Sequence, residues 1–376
     1  MTVERTAVER RILASLDAGR IPVLLGGCGI GRTTLLQRLA ALRPSASRYI
    51  DLGAVATTPE RCLVAVTGRP LAAGTTARAA FDQVLREFDR AVSPSGERAT
   101  VLLDAFQELR TFENFPGLRD VQRDFVAHLA ASPNHFVLAS RFTARAHRLL
   151  RDAPARFEVI HLPPLDGADV EALARARDGR ADWARQVAPA VQALSAGRAA
   201  YAVALVDAMA GAATAEAGTA LAELFSPAGR LTALARFSYE FRLHRARGYG
   251  ALKAILGILA EEEPLTLTDI AHRLHRTPGS TKDYLSWLED VDVLNVHRKK
   301  YSYDDPLVRL YVRLYTGVEP PSHDRIVAET RRFAAERLSA PQPAAAPDAP
   351  TRTPSAQPAL AAPEPASRKN GIIEID

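Results

Sequence analysis

"LLGGCGIGRTTLLQRL", residues 24–39, reads as an apolar strand, a glycine-rich turn and the start of a helix. It meets the phosphate-loop pattern G-x-x-x-x-G-K-[ST] at every fixed position but one. Gly26 and Gly31 are in place, Thr33 supplies the hydroxyl that holds magnesium, and Arg32 stands where the pattern has lysine. Most of the work of such a loop is done by backbone. Successive N–H groups from Gly27, Cys28, Gly29, Ile30, Gly31, Arg32, Thr33 and Thr34 can form a concave nest for phosphate. The helix that follows adds positive potential. Arginine keeps the charge of the missing lysine but is longer, planar and forked. The expectation is that ATP or ADP still binds, with alignment of the terminal phosphate impaired.

The rest of the first half supports a nucleotide-binding sheet. "RYIDL" (48–52), "TVLLDAF" (100–106), "HFVLAS" (135–140) and "FEVIHL" (157–162) join "IPVLL" (21–25) as short strand candidates. Between them, Phe81, Val84, Leu85 and Phe88 fall on one helical face, as do Val121, Phe125, Val126 and Leu129. Apolar strands separated by amphipathic helices predict a parallel α/β sheet covered on both sides, over residues 1–165. "TVLLDAF" carries a second signal. Its Asp104 ends an apolar strand, where a carboxylate can hold magnesium together with Thr33.

Residues 166–248 are alanine-rich and helical in pattern, which predicts a helical lid. Residues 249–320 change character again. A helix over 251–262 precedes Pro264, then a short helix over 269–274 capped by Thr268, a turn, and a second helix over 279–289. "VLNVHRKKYSY" alternates around a basic turn as a hairpin does, so the order is that of a winged helix. A further helix is expected over 321–338. Duplex DNA is the candidate partner, through Ser280, Thr281 and Lys282 on the second helix, Arg273 and Arg276 before it, and His297, Arg298, Lys299 and Lys300 in the wing. Lys282, Lys299 and Lys300 are three of the five lysines in the chain. Acids at Asp283, Glu289, Asp290 and Asp292 leave a protein-binding role open. "FRLHRARGYG" (241–250), with Arg242, reads as a basic connector that either pairs with acids of the sheet domain or meets nucleic acid.

From 339 to 368, 18 of 30 residues are alanine or proline, a composition that predicts a flexible linker. It ends in "GIIEID", from Gly371 to Asp376, which is suited to adding a strand to the sheet edge of a protein partner.

Composition narrows the class. Lys and Arg number 48 against 43 acids, a mild +5, and 43 of the 48 cations are arginine. That skew points to a GC-rich coding bias that exchanges lysine for arginine. Two cysteines, Cys28 and Cys62, are too few for a disulfide framework or a metal cage. No long apolar run or signal-like N-terminus is visible, so a cytoplasmic protein without membrane contact is expected.

Taken together, these motifs resemble AAA+-type P-loop ATPases of the archaeal-ATPase kind, a group allied to the signal-transducing STAND ATPases. The likeness runs from about residue 5 to 318. In that group the second motif often reads D-E-F-Q; here it is Asp104-Ala105-Phe106-Gln107. The resemblance implies an α/β P-loop NTPase sheet domain with a helical lid and a C-terminal winged helix. It implies ATP or ADP with Mg2+ as cofactors, Ser140 as the polar sensor residue, and Arg141 beside it. It also marks Ala105 as standing where the group has the water-polarising glutamate. Alanine can neither accept a proton nor orient water. Glu108 is the nearest other carboxylate. A weak ATPase or a nucleotide-dependent switch is therefore the leading expectation. The alternatives are an active homo-oligomeric ATPase machine and a non-catalytic adaptor with a structural nucleotide site.

Overall fold

The computed structural model describes residues 5–339 except 92–95, 97, 212–215 and 245–247. The alanine–proline linker and its terminal peptide lie outside the described residues. Five strands form one parallel sheet: β1 (Ile21–Leu25), β2 (Ser47–Asp51), β3 (Thr100–Asp104), β4 (His135–Ser140) and β5 (Phe157–His161), in the order β2-β3-β4-β1-β5. The central strand β1 is buried along its whole length, whereas the edge strands β2 and β5 are mostly half-exposed. Central strands apolar on both faces are what a sheet with helices on each side requires.

The helices divide between the two faces. On one face α1 (Thr6–Asp17) and α2 (Arg32–Leu42) bring Ile12, Leu16, Leu35 and Leu36 onto Leu24, Leu102 and Val137. On the other lie α3 (Leu52–Val55), α4 (Pro59–Thr67), α5 (Ala77–Arg90), a 3-10 helix (Phe106–Asn114), α6 (Val121–Ala131) and α7 (Thr143–Leu150). Their Phe81, Phe88, Phe112 and Phe125 pack on Val23, Val101, Leu103 and Phe136. Neighbouring residues in β1, β3 and β4 thus point to opposite cores, the two-residue period of a strand.

A run of helices follows the sheet. They are α8 (Gly167–Asp178), α9 (Ala181–Ser195), α10 (Ala199–Gly211), α11 (Ala217–Leu224), α12 (Arg230–Leu243), α13 (Tyr249–Glu261), α14 (Leu267–Arg273), α15 (Pro278–Asp290) and α16 (Pro306–Tyr315). A last helix, α17 (His323–Ser339), ends the described chain. A small antiparallel sheet of β6 (Leu265–Thr266), β8 (Lys300–Tyr303) and β7 (Leu294–His297) lies among them. From Leu165 to Ala334 these elements share one apolar cluster, including Trp183, Tyr201, Phe225, Tyr239, Ile255 and Leu307.

The helix bounds differ from the sequence expectation by one to two residues, and one capping residue differs. Helix α14 is capped by Thr266 rather than Thr268, two residues earlier. Thr266 Oγ1 accepts from Asp269 N while the Asp269 carboxylate accepts from Thr266 N, a reciprocal capping box.

The segment after α15 is clasped to the sheet domain by two acids. Asp290 pairs with Arg145 Nε at 3.0 Å and with Arg148. Asp292 accepts the α7 N-terminal amides of Thr143 and of Ala144, the latter at 3.3 Å. Burial pushes the Asp292 carboxyl up to about 6 despite those two amide bonds. An acid whose folded pKa is raised contributes stability below its unfolded pKa and loses it as pH rises through the folded one. We therefore expect the stability difference between the unaltered chain and Asp292→Asn to fall as pH rises from about 4 to about 6, by at most roughly 3 kcal/mol. Denaturant melts of both proteins across that range check it.

Candidate nucleotide site

The site residues gather at the C-terminal edge of the parallel sheet, where ligands of open α/β sheets bind. The loop after β1 turns through Gly29 (φ 75°) and Gly31 (φ 107°), which only glycine adopts without strain. Helix α2 then begins at Arg32, aiming its first amides into the turn. The metal-binding pair predicted from sequence is brought together: Thr33 Oγ1 donates to Asp104 Oδ2 at 2.5 Å. Tyr49 reaches the same oxygen at 3.3 Å, and Ala105 N donates to Asp104 Oδ1 at 2.8 Å. Thr33 and Asp104 have the oxygen chemistry that Mg2+ takes.

Arg32 does not extend as a lysine would. Its Nη1 donates back to Gly27 O at 2.6 Å, and its buried Nε has no partner among the described residues. Burial first, then the neighbouring Arg141 and Arg242, bring its guanidinium down to about 10, which still leaves it charged at neutral pH. Arg141 lies 4.1 Å over the Phe241 ring of α12, a cation–π contact within its own chain. Ser140 is fully buried. Its hydroxyl meets the Gln107 side chain at 2.6 Å and accepts from Phe142 N at 3.0 Å. With its nitrogen facing Ser140, the Gln107 amide donates to Ser140 Oγ and to Phe142 O, and its oxygen accepts from Ala146 N at 2.7 Å. Ser140 is thus tied into the turn between β4 and α7.

Two residues that the sequence patterns do not mark as site residues close the loop. Arg198, at the start of α10, is 7% exposed. Its Nη1 donates to Cys28 O at 2.9 Å, its Nη2 to Asp304 Oδ2 at 2.8 Å, and its Nε lies 3.4 Å from Asp305. Ala200 N also donates to Gly29 O at 2.9 Å, so the tip of α10 rests on the loop. The only sequence signal is a Gly-Arg pair opening a helix of the lid. Arg242, which the sequence presents as part of a basic connector, is 3% exposed and lies near the Cys28 thiol. Burial raises that thiol, but Arg242, Arg141, Arg32 and the Ser238 hydroxyl outweigh it and leave it below its ordinary value.

A cavity of about 340 Å³ opens between the loop and the start of α2, including Ile30, Arg32, Thr33 and Leu35, and the lid residues Ala199, Val203 and Arg230. That is the low end of the size range for small-molecule sites. Unpartnered buried guanidinium N–H groups, a glycine cradle and an oxygen pair for a metal fit a nucleotide phosphate chain with Mg2+.

The position after Asp104 is different. Ala105 is 6% exposed and left-handed, at φ 51°. The 3-10 helix that follows puts Glu108 in its first turn, half-buried and off the strand.

Of the DNA candidates, Arg273, Arg276, Ser280, Lys282, His297, Arg298, Lys299 and Lys300 are exposed. Thr281 is a correction. It is fully buried and its hydroxyl donates to Thr277 O at 3.0 Å, so it cannot reach a ligand outside the fold. Arg273 pairs with Glu262 at 2.6 Å, and Arg276 lies 5.7 Å over the Tyr284 ring. Arg298 and Lys299 both take positive φ, forming the two-residue turn that joins β7 to β8.

No model of a known protein family and no curated protein matches the chain. Solved structures do. The Walker-type ATPase PABY2304 of Pyrococcus abyssi is 17% identical at a TM-score of 0.63, over 83% of this chain and 96% of that one. The Aeropyrum pernix ORC2 protein, solved as ADPNP–ADP complexes, is 16% identical at 0.50, over 89% and 93%. The fold is that of an AAA+-type P-loop ATPase.

The surroundings of Ala105 generate an expectation. Ala105 is buried at the end of β3, directly after the buried Asp104. Ala105→Glu should cost roughly 1–3 kcal/mol, because it crowds this corner and buries a second carboxylate beside Asp104. Thermal melts of the two proteins check it.

Proposed function

We propose that the chain is a nucleotide-dependent switch that binds ATP or ADP with Mg2+, hydrolyses ATP slowly, and couples the bound nucleotide to a winged helix that contacts duplex DNA. The observation that carries this reading is the Arg198 fork, which joins the phosphate loop at Cys28 O to Asp304 and Asp305, directly after the β7–β8 hairpin. A ligand phosphate that draws on Arg198 changes its hold on that segment. The shared fold of the Aeropyrum ORC2 protein, itself solved with ADPNP and ADP, is consistent with the nucleotide.

In this reading the loop amides and the α2 N-terminus hold the phosphates, and Thr33 and Asp104 hold the metal. Bound Mg2+ supplies charge neutralisation at the β and γ phosphates. Arg32 supplies charge without a lysine's reach. The chain lacks a carboxylate directly after Asp104, so no side chain at that position polarises water, and turnover is slow. Thr33→Ala should weaken Mg2+-nucleotide binding, read by calorimetry, and turnover of the unaltered chain should lie well below the order of 1 per second. A chain that binds no nucleotide at millimolar concentration overturns the proposal.

Helices α14 and α15 and the β7–β8 hairpin form the winged helix of this proposal. Lys282, Arg298, Lys299 and Lys300 are exposed, and the acids Asp290 and Asp292 face the sheet domain. The face left for DNA is therefore more basic than its sequence. Replacing Arg298, Lys299 and Lys300 by alanine in the full chain should lower the slope of log K against log salt by about 0.9 for each phosphate that is no longer neutralised. An unchanged slope assigns this face to something other than DNA.

A further inference from the structure

Away from the nucleotide site, two histidines from different elements of the sheet domain meet at the surface. His147 stands on α7 and His161 closes β5, and both are exposed. Their Nε2 atoms are 3.1 Å apart, within hydrogen-bond distance, and the ring centroids are 5.0 Å apart with planes 25° from parallel. Partial burial lowers both imidazoles from their ordinary value, and for His161 the neighbouring His147 and Arg11 add to the effect. Both rings are therefore neutral at neutral pH, the form in which imidazole binds metals. In the neutral pair one Nε2 carries the bridging proton and the other a lone pair. A shift of that proton to Nδ1 of its own ring leaves two Nε2 lone pairs side by side, with no change of charge.

The spacing says what such a pair can hold. Two imidazole nitrogens each about 2.0–2.1 Å from one ion and 3.1 Å from each other subtend about 100° at it, between the square-planar and tetrahedral angles. The spacing is held by the fold, because Leu149 and Leu150 of α7 and Phe157 and Val159 of β5 pack on one core. We propose that His147 and His161 bind a divalent transition cation that favours imidazole, of the class of Zn2+, Cu2+ and Ni2+, with water in its remaining positions. Among the described residues no group of three or more His, Cys, Asp and Glu could hold a metal, so this ion has two protein ligands and exchanges readily. Mg2+ takes oxygen ligands and passes over the pair. His161 is the register partner of Leu25, the residue before the phosphate loop, and α7 is the helix whose first amides Asp292 accepts. An ion here clips the strand beside the loop to the helix that holds the segment after α15. The site itself needs no nucleotide.

Calorimetry with ZnCl2 on the untagged full chain, free of nucleotide, tests the pair. The unaltered chain should bind Zn2+ saturably and show no comparable response to MgCl2. His147→Asn and His161→Asn each keep a polar side chain but remove the imidazole, and both positions are exposed, so the fold should tolerate either change. Each should weaken Zn2+ binding by at least about tenfold, since even a partner one bond removed from a metal ion is typically worth about 10–100-fold. Electron paramagnetic resonance with one equivalent of Cu2+ reads the ligands directly: two imidazole nitrogens are expected in the unaltered chain and fewer in either variant. No Zn2+ binding by the unaltered chain at millimolar ZnCl2 overturns the proposal and leaves the pair a plain hydrogen bond. Zn2+ affinity that falls in only one variant or in neither, or a Cu2+ signal that is the same in all three proteins, places the ion elsewhere and overturns it as well.

Discussion

The guanidinium of Arg198 touches three parts of the molecule at once, and the arrangement of the site follows from it. One nitrogen holds the carbonyl of Cys28 in the phosphate loop, and the other two hold Asp304 and Asp305. Burial works against its charge, but the two aspartates more than offset that and hold it above the ordinary arginine value. Arginine alone has the planar fork and the five donors needed to meet three acceptors in different directions. Asp305 spends its own oxygens on Tyr201 and on the amides of Leu307 and Val308, so the network continues into α16. Removing one member of such a buried pair typically costs about 3–5 kcal/mol, because the other charge stays behind. The loop, the tip of α10 and the start of α16 therefore move as one body or not at all.

Charge around the loop is unbalanced. Arg198 has carboxylates. Arg32 has only a backbone carbonyl, Arg141 an aromatic face and Arg242 a hydroxyl. Among the described residues these three guanidiniums have no ion pair of their own, and their combined field keeps even a buried thiol below its usual pKa. The surrounding acids are assigned elsewhere: Asp104 to Thr33 and Tyr49, Asp292 to the α7 amides. What such a site lacks is a polyanion, and the hydrogen-bond directions left over are those a phosphate fills.

The sheet and the loop are legible in the sequence because their signals are local. Five apolar runs form five strands, and Thr33 and Asp104 meet although 71 residues separate them, since both follow buried central strands of one parallel sheet. Arg198 and Arg242 are illegible for the opposite reason. Arg198 directly precedes α10 and Arg242 lies in α12, and the role of each depends on which helix tip reaches the loop, a long-range fact without a sequence period. Among 43 arginines, residue type carries little information. Thr281 fails differently. Its place near a helix start suggests a contact, but it lies on the face of α15 that turns inward with Leu285 and Leu288. The α14 cap shifts because Thr266 and Thr268 both precede Asp269, and only Thr266 has the three-residue spacing of a capping box.

The end of β3 bears on how a switch of the proposed kind works. Asp104 is fixed by Thr33, Tyr49 and the Ala105 amide, and the chain then turns left-handed and enters a 3-10 helix. A carboxylate at residue 105 would start from a buried position. The left-handed backbone at residue 105 and its burial set the geometry that any other side chain there would have to accept. A site that holds nucleotide without consuming it quickly changes state by exchange. Its reach is then set by differential affinity alone: shifting a conformational equilibrium from 1:99 to 99:1 takes about 10⁴-fold tighter binding to one state. A single new hydrogen bond supplies less than that. Several guanidiniums moving together around one phosphate, tied by Arg198 to the elements that follow the hairpin, are the kind of arrangement that difference requires.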